Sequence, residues 1–167
     1  MKKLIMSILA VMLMASNLWA LTPGSCVESV GSYTGGAVVV KLECAGSPDD
    51  GAIPNTDIST PVIAILEGTH YLYTVSAYPT SGGTAPDAAD VFIIDENGED
   101  LLGSADGGTT PQNGANLIHA TLKKTTFPYS TYLSQAYFPM VTGTLTLEVL
   151  NQATHSADYT IELVFVR

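Results

Sequence analysis

Apolar residues recur at every second position through three stretches of this chain. In residues 37–43, Val38, Val40 and Leu42 alternate with Lys41 and Glu43. In residues 144–149, Leu145, Leu147 and Val149 alternate with Thr144, Thr146 and Glu148. In residues 158–165, Tyr159, Ile161, Leu163 and Phe165 alternate with Asp158, Thr160 and Glu162. A period of two is the mark of a strand with one face on a core and the other toward water. The last two stretches are joined by residues 151–157, which predicts an antiparallel pair with both apolar rows on one core.

Residues 71–103 extend the pattern. Tyr71, Tyr73, Val75 and Ala77 are expected on one face of a strand, with Thr74 and Ser76 on the other. A breaker-rich loop then leads to the continuous apolar run Val91-Phe92-Ile93-Ile94, and Asn97-Gly98 predicts a type I′ hairpin turn with solvated carboxylates at its flanks. Residues 62–66 are apolar throughout and short, which fits a strand covered on both faces. Residues 26–33 read as a short extended segment and residues 117–122 as a further strand. Residues 127–140, interrupted by Pro128 and Pro139, show no clear period. No window sustains a helical period and no repeat is visible. About eight short strands separated by turn residues predict an all-β fold, an antiparallel β-sandwich or jelly-roll-like arrangement.

Composition changes the picture first at the N-terminus. Lys2 and Lys3 precede an apolar run over residues 4–14, and small residues at Ala15, Ser16 and Ala20 offer cleavage sites. Residues 1–20 therefore read as a signal peptide, too short to span a bilayer, and predict export to the periplasm or the extracellular space. Residues 21–60 form an extended segment and loop belonging to the same domain, and residues 61–167 its β-sandwich core. Losing Lys2 and Lys3 takes the formal net charge from −10 to −12, with Lys41, Lys123, Lys124 and Arg167 as the remaining cations. So acidic a chain repels phosphate backbones and gains nothing from an anionic membrane, which argues against nucleic-acid partners and against membrane insertion after processing. Protein partners, self-association, neutral glycans and cations stay open. Cys26 and Cys44 are the only cysteines and lack C-x-x-C spacing. In an oxidising compartment such a pair predicts one disulfide, and closing a loop of that length stabilises by about 3 kcal/mol.

Candidate chemistry is sparse. Asp95, Asn97, Glu99 and Asp100 crowd oxygen-bearing side chains around the hairpin turn and are candidate Ca²⁺ ligands, although the EF-hand spacing is absent and the bland alternative is a solvated turn. Tyr129, Tyr132, Tyr137 and Phe138 are candidates for stacking on glycan rings; the alternative is that they close one end of the core. His70, His119 and His155 have no metal-ligand spacing, and neither a nucleophile elbow nor a phosphate-binding loop is present. The expectation is a non-enzymatic protein with a structural or surface-interaction role in assembly or adhesion, or alternatively a secreted module binding calcium or glycan.

Turn-and-strand motifs add a resemblance. Tyr73-Thr74-Val75, Gly82-Gly83-Thr84-Ala85-Pro86-Asp87, Asp95-Glu96-Asn97-Gly98-Glu99-Asp100-Leu101-Leu102-Gly103, Thr142-Gly143-Thr144-Leu145-Thr146-Leu147 and Ile161-Glu162-Leu163 lie in a stretch, residues 62–167, that resembles a small β-sandwich domain recurring in predicted phage structural proteins. The resemblance implies a virion-associated or assembly role without catalysis. A looser likeness, carried by export, the cysteine pair and the acidic Gly/Thr/Ala-rich body, is to subunits of chaperone-assembled fimbriae.

Overall fold

The structure, a computed structural model, describes residues 23–32, 36–104, 112–130 and 132–167. Residues 1–20, read above as a signal peptide, lie outside the described residues. In chain order the first elements are β1 (Ser25–Ser32), β2 (Val38–Ala45), β3 (Thr56–Asp57), α1 (Thr60–Leu66), β4 (Tyr71–Pro79) and β5 (Asp90–Ile94). The rest are β6 (Lys124–Thr126), β7 (Tyr129–Ser130), β8 (Gln135–Ala136), β9 (Thr146–Leu150) and β10 (Asp158–Val166). Five strands make one sheet in the order β1-β2-β10-β4-β6, and three make a second in the order β3-β9-β5, while β7 and β8 form a separate hairpin. Every pairing between these strands is antiparallel. The fold is all-β, as the alternation predicts.

The core is where the alternating rows meet. Val38, Val40, Leu42 and Cys44 of β2 and Tyr159, Ile161, Leu163 and Phe165 of β10 face Val91 and Ile93 of β5 and Leu147 and Val149 of β9, with Leu145 just before it, in one buried cluster. Such an interior excludes water from two facing sheets and supplies the main favourable term in folding. Phe92 is also fully buried but stands outside that cluster, so β5 is covered on both faces, as its unbroken apolar run requires.

Four expectations need correction. First, β9 and β10 do not pair. β10 already has β2 on one side and β4 on the other, with ladders along nearly its whole length, so β9 pairs with β5 and β3 instead. Residues 151–157 carry the chain from one sheet to the other, turning at Asn151 (φ 65°) and Ser156 (φ 52°). Both apolar rows reach one core because they approach it from opposite sides.

Second, residues 62–66 are helical. Ser59 and a proline in the first turn start α1, and Val62, Ile63 and Leu66 form its buried stripe while Ile65 is exposed. Five apolar residues cannot by themselves separate a buried strand from a helix turn. The Glu28 carboxylate of β1 meets the helix start, accepting the Ser59 N–H at 2.9 Å and the Ser59 hydroxyl.

Third, Asn97-Gly98 does not form a type I′ turn. Gly98 takes φ 82°, whereas Asn97 is not among the residues with positive φ. The turn is held by the Asp95 carboxylate, whose Oδ1 accepts the N–H groups of Asn97 and Glu99 at 2.9 Å, an aspartate-led turn that competes successfully with the I′ geometry. Nor is Asp100 a solvated flank, because its carboxyl is largely buried.

Fourth, residues 117–122 make no strand. Ile118 forms a single bridge to Ala89 with its neighbour Leu117 buried, and Leu122 is exposed. Residues 26–33, by contrast, are more than an extended segment: eight residues of β1 pair with β2 without a break in register.

Candidate interaction surface

The alternation across β4 breaks at one residue. Phe165 of β10 pairs with Leu72 and Val164 with Thr74, so Tyr73 is the extra residue of a β-bulge. Past the bulge Val75 and Ala77 point into the core as expected, but before it the buried residue is Leu72, and Tyr71 and Tyr73 are turned outward. The expectation that Tyr71 and Tyr73 share a face with Val75 and Ala77 is therefore overturned by a single inserted residue.

Around Tyr73 an aromatic patch assembles. Phe127, just after β6, meets the Tyr73 ring edge-on at 5.9 Å between centroids, and Phe138, just after β8, lies 5.2 Å away at a 31° tilt. Tyr71 forms a bridge with Met140, and Tyr71, Phe138, Val166 and Arg167 line a shallow recess beside it. Tyr71, Tyr73, Phe127, Phe138 and Met140 are each 40–49% exposed. Scattered single exposed rings are ordinary, whereas a contiguous group of this kind makes this the candidate interaction surface.

The charges of the same sheet face lie elsewhere. Lys41 and Lys123 both engage Glu162, at 3.6 and 3.1 Å, and Lys123 also sits 4.8 Å above the Tyr78 ring. Lys124 donates to the Asn116 carbonyl at 2.7 Å. Arg167 is the charged residue at the recess.

The residues nominated from sequence are dispersed. Tyr129 packs over Gly103, Tyr132 is 94% exposed beside the β7–β8 hairpin, and Tyr137 is partly buried near the acidic turn. Burial, followed by the charges of Glu99, Asp95 and Asp100, pushes the Tyr137 hydroxyl above its ordinary value. Of the four aromatic candidates only Phe138 belongs to the patch. From sequence, Tyr71 and Tyr73 are expected only on the core face of a strand, and Phe127 and Met140 carry no nomination. A local signal existed: Leu72, the most apolar residue of its strand end, lies out of phase with Val75.

The four candidate calcium ligands do not converge either. Asp95 engages the turn backbone through one oxygen and the Asn97 amide through the other. Asp100 turns inward, its Oδ1 accepting the N–H groups of Ile93 at 3.1 Å and Leu102 at 3.0 Å. Burial pushes its carboxyl up to about 6, with Glu148 adding to the rise. Among the described residues no group of three or more histidine, cysteine or acidic side chains is arranged to hold a metal ion. Two of the three histidines make local contacts: His70 shares a 2.8 Å hydrogen bond with the Thr69 hydroxyl, and His119 accepts the Thr121 N–H at 3.2 Å.

On the far side of the five-stranded sheet, β1 is an edge that no strand other than β2 pairs with among the described residues. Cys26 and Cys44 are bonded, as the cysteine pair predicts, and stand directly opposite one another on β1 and β2. Val27 is 66% exposed and Val30 45%. The other edges are short or covered: β6 has three residues and β3 two, and β5 is hydrogen-bonded from outside by Gly114 and Leu101. Among the described residues no helix is long and apolar enough to cross a membrane. No protein-family model, curated protein or solved structure matches the chain.

Proposed function

We propose that this chain is an exported, non-enzymatic β-sandwich with a structural role, holding a protein partner through the aromatic patch built on Tyr73. The observation that carries the reading is the patch itself: five large apolar side chains from three separate segments, brought to one sheet face and left half open to solvent. Aromatic rings and methionine are the side chains enriched where proteins meet. Export is supported by the residue 1–20 pattern and by the disulfide, which suits an oxidising compartment. The likeness to phage structural domains points the same way, toward assembly rather than catalysis.

A photo-crosslinking side chain at Phe138, in cells that make the protein, is expected to capture a discrete protein band. The same probe at Leu150, in the opposite sheet, is expected to capture none. Equal bands from both positions, or none from Phe138, would overturn the assignment. Loss of binding to a glycan array on Tyr73→Ser, without any protein adduct, would move the patch to a carbohydrate ligand.

A further inference from the structure

We propose that β1 is a self-association site: a second copy of this chain adds its own β1 antiparallel to the open edge, giving a two-fold dimer in which two five-stranded sheets run on as one. The argument begins at the disulfide. Cys26 and Cys44 face each other with their Cα atoms 4.0 Å apart, the close spacing of a pair that does not exchange backbone hydrogen bonds. Bonding alternates along an antiparallel ladder, so Cys26, Glu28, Val30 and Ser32 turn their N–H and C=O groups away from β2, toward the open side.

An edge of this kind is a template for another strand, and proteins that avoid pairing blunt it with proline, lysine, bulges or very short strands. β1 has eight residues, no proline, no lysine and an unbroken register. The opposite edge of the same sheet, β6, carries the usual protection: three residues, one of them Lys124.

Charge selects the occupant. Two copies of a chain with a formal net charge of −10 repel over most of their surfaces, so they meet most readily where charge is missing. The one ionisable side chain of β1 is Glu28, and its carboxylate is already held by the N–H and hydroxyl of Ser59. The strand is also self-complementary. A two-fold axis at Glu28 would set two carboxylates directly opposite, which is unfavourable. An axis at Ser29 instead pairs Glu28 with Val30 of the second copy, Cys26 with Ser32 and Val27 with Gly31, and engages every outward-facing residue from Cys26 to Ser32. This pairing uses up both open edges, so assembly closes at the dimer. The aromatic patch lies beyond β4, across the sheet from β1, and remains free, so either assignment can fail without the other.

Two variants test the proposal. Ser29→Cys places thiols across the axis, and under air oxidation it is expected to form a covalent dimer mapped to position 29 in both copies; Val27→Cys, off the axis, should crosslink far less. Val30→Pro removes an outward N–H without touching the ladder to β2, and should weaken the dimer by roughly tenfold or more in sedimentation equilibrium while melting close to the parent protein. A parent chain that stays monomeric at about 100 µM, a concentration that populates even weak dimers, would overturn the proposal. So would equal crosslinking at positions 27 and 29, or a dimer abolished by Tyr73→Ser and untouched by Val30→Pro. If Val30→Pro does not fold, the position-29 crosslink decides alone.

Discussion

Replacing Asp100 by asparagine should remove a pH dependence that the fold builds in. Burial pushes the Asp100 carboxyl from 3.8 up to about 6; Glu148 adds to the rise, and the backbone N–H groups of Leu102, Ile93 and Ser104 oppose it. The folded chain therefore holds this proton more tightly than the unfolded chain does. Its contribution to stability is full below pH 3.8 and is lost as the pH rises through about 6. At about 1.4 kcal/mol per pH unit, that interval amounts to about 3 kcal/mol. Asparagine keeps the oxygen that accepts from Ile93 and Leu102, and carries no charge at any of these pH values. Its amide nitrogen falls where Asp100 Oδ2 lies buried without a partner, a pH-independent penalty of about 1–3 kcal/mol. The decisive quantity is thus the change in the difference between variant and parent, which cancels that offset and the titration of every shared carboxylate. Urea unfolding from about pH 3.5 to 7.5 should show this difference moving in the variant's favour by about 3 kcal/mol. A difference that stays flat would refute the reasoning, and one that moves against the variant would show that the backbone N–H bonds outweigh burial.

The disulfide should stabilise by about 3 kcal/mol, so Cys26→Ser with Cys44→Ser is expected to lower the urea midpoint accordingly; an unchanged midpoint would mean that the β1–β2 ladder suffices alone. Gly114→Ala drives a Cβ into the Val91 carbonyl oxygen, a backbone atom of a core strand, and should cost more than about 3 kcal/mol or prevent folding; a melt close to the parent's would contradict this packing. Tyr159→Phe removes a buried hydroxyl that has no partner among the described residues, and should change stability by no more than about 1 kcal/mol in denaturant titration. A loss of about 3 kcal/mol there would reveal a hydrogen bond that the packing does not show.

Fold class was legible because β2, β9 and β10 alternate over most of their length, Val39 of β2 being an exception, and their inward rows are the ones that fill the core. What the sequence hid depends on partners far along the chain. Whether β9 pairs with β10 is settled by β2 and β4 occupying both sides of β10, a competition that no local pattern records. Residues 62–66 become a helix in a context that includes a carboxylate from β1, 31 positions before Ser59. The patch was illegible for the same reason: the face that Tyr71 and Tyr73 take is fixed by the register with β10, and Phe127 and Phe138 reach them from separate segments. The disulfide was legible because two cysteines leave only one intramolecular bond to make.

The central place of β10 has a consequence for when the protein can fold. It is the most C-terminal of the described strands, yet it lies between β2 and β4, which have no ladder to each other without it. A chain emerging N-terminus first from a ribosome can form the β1–β2 hairpin early but cannot close the larger sheet until residue 166 is out. Completion of the five-stranded sheet is thereby tied to the last strand to appear.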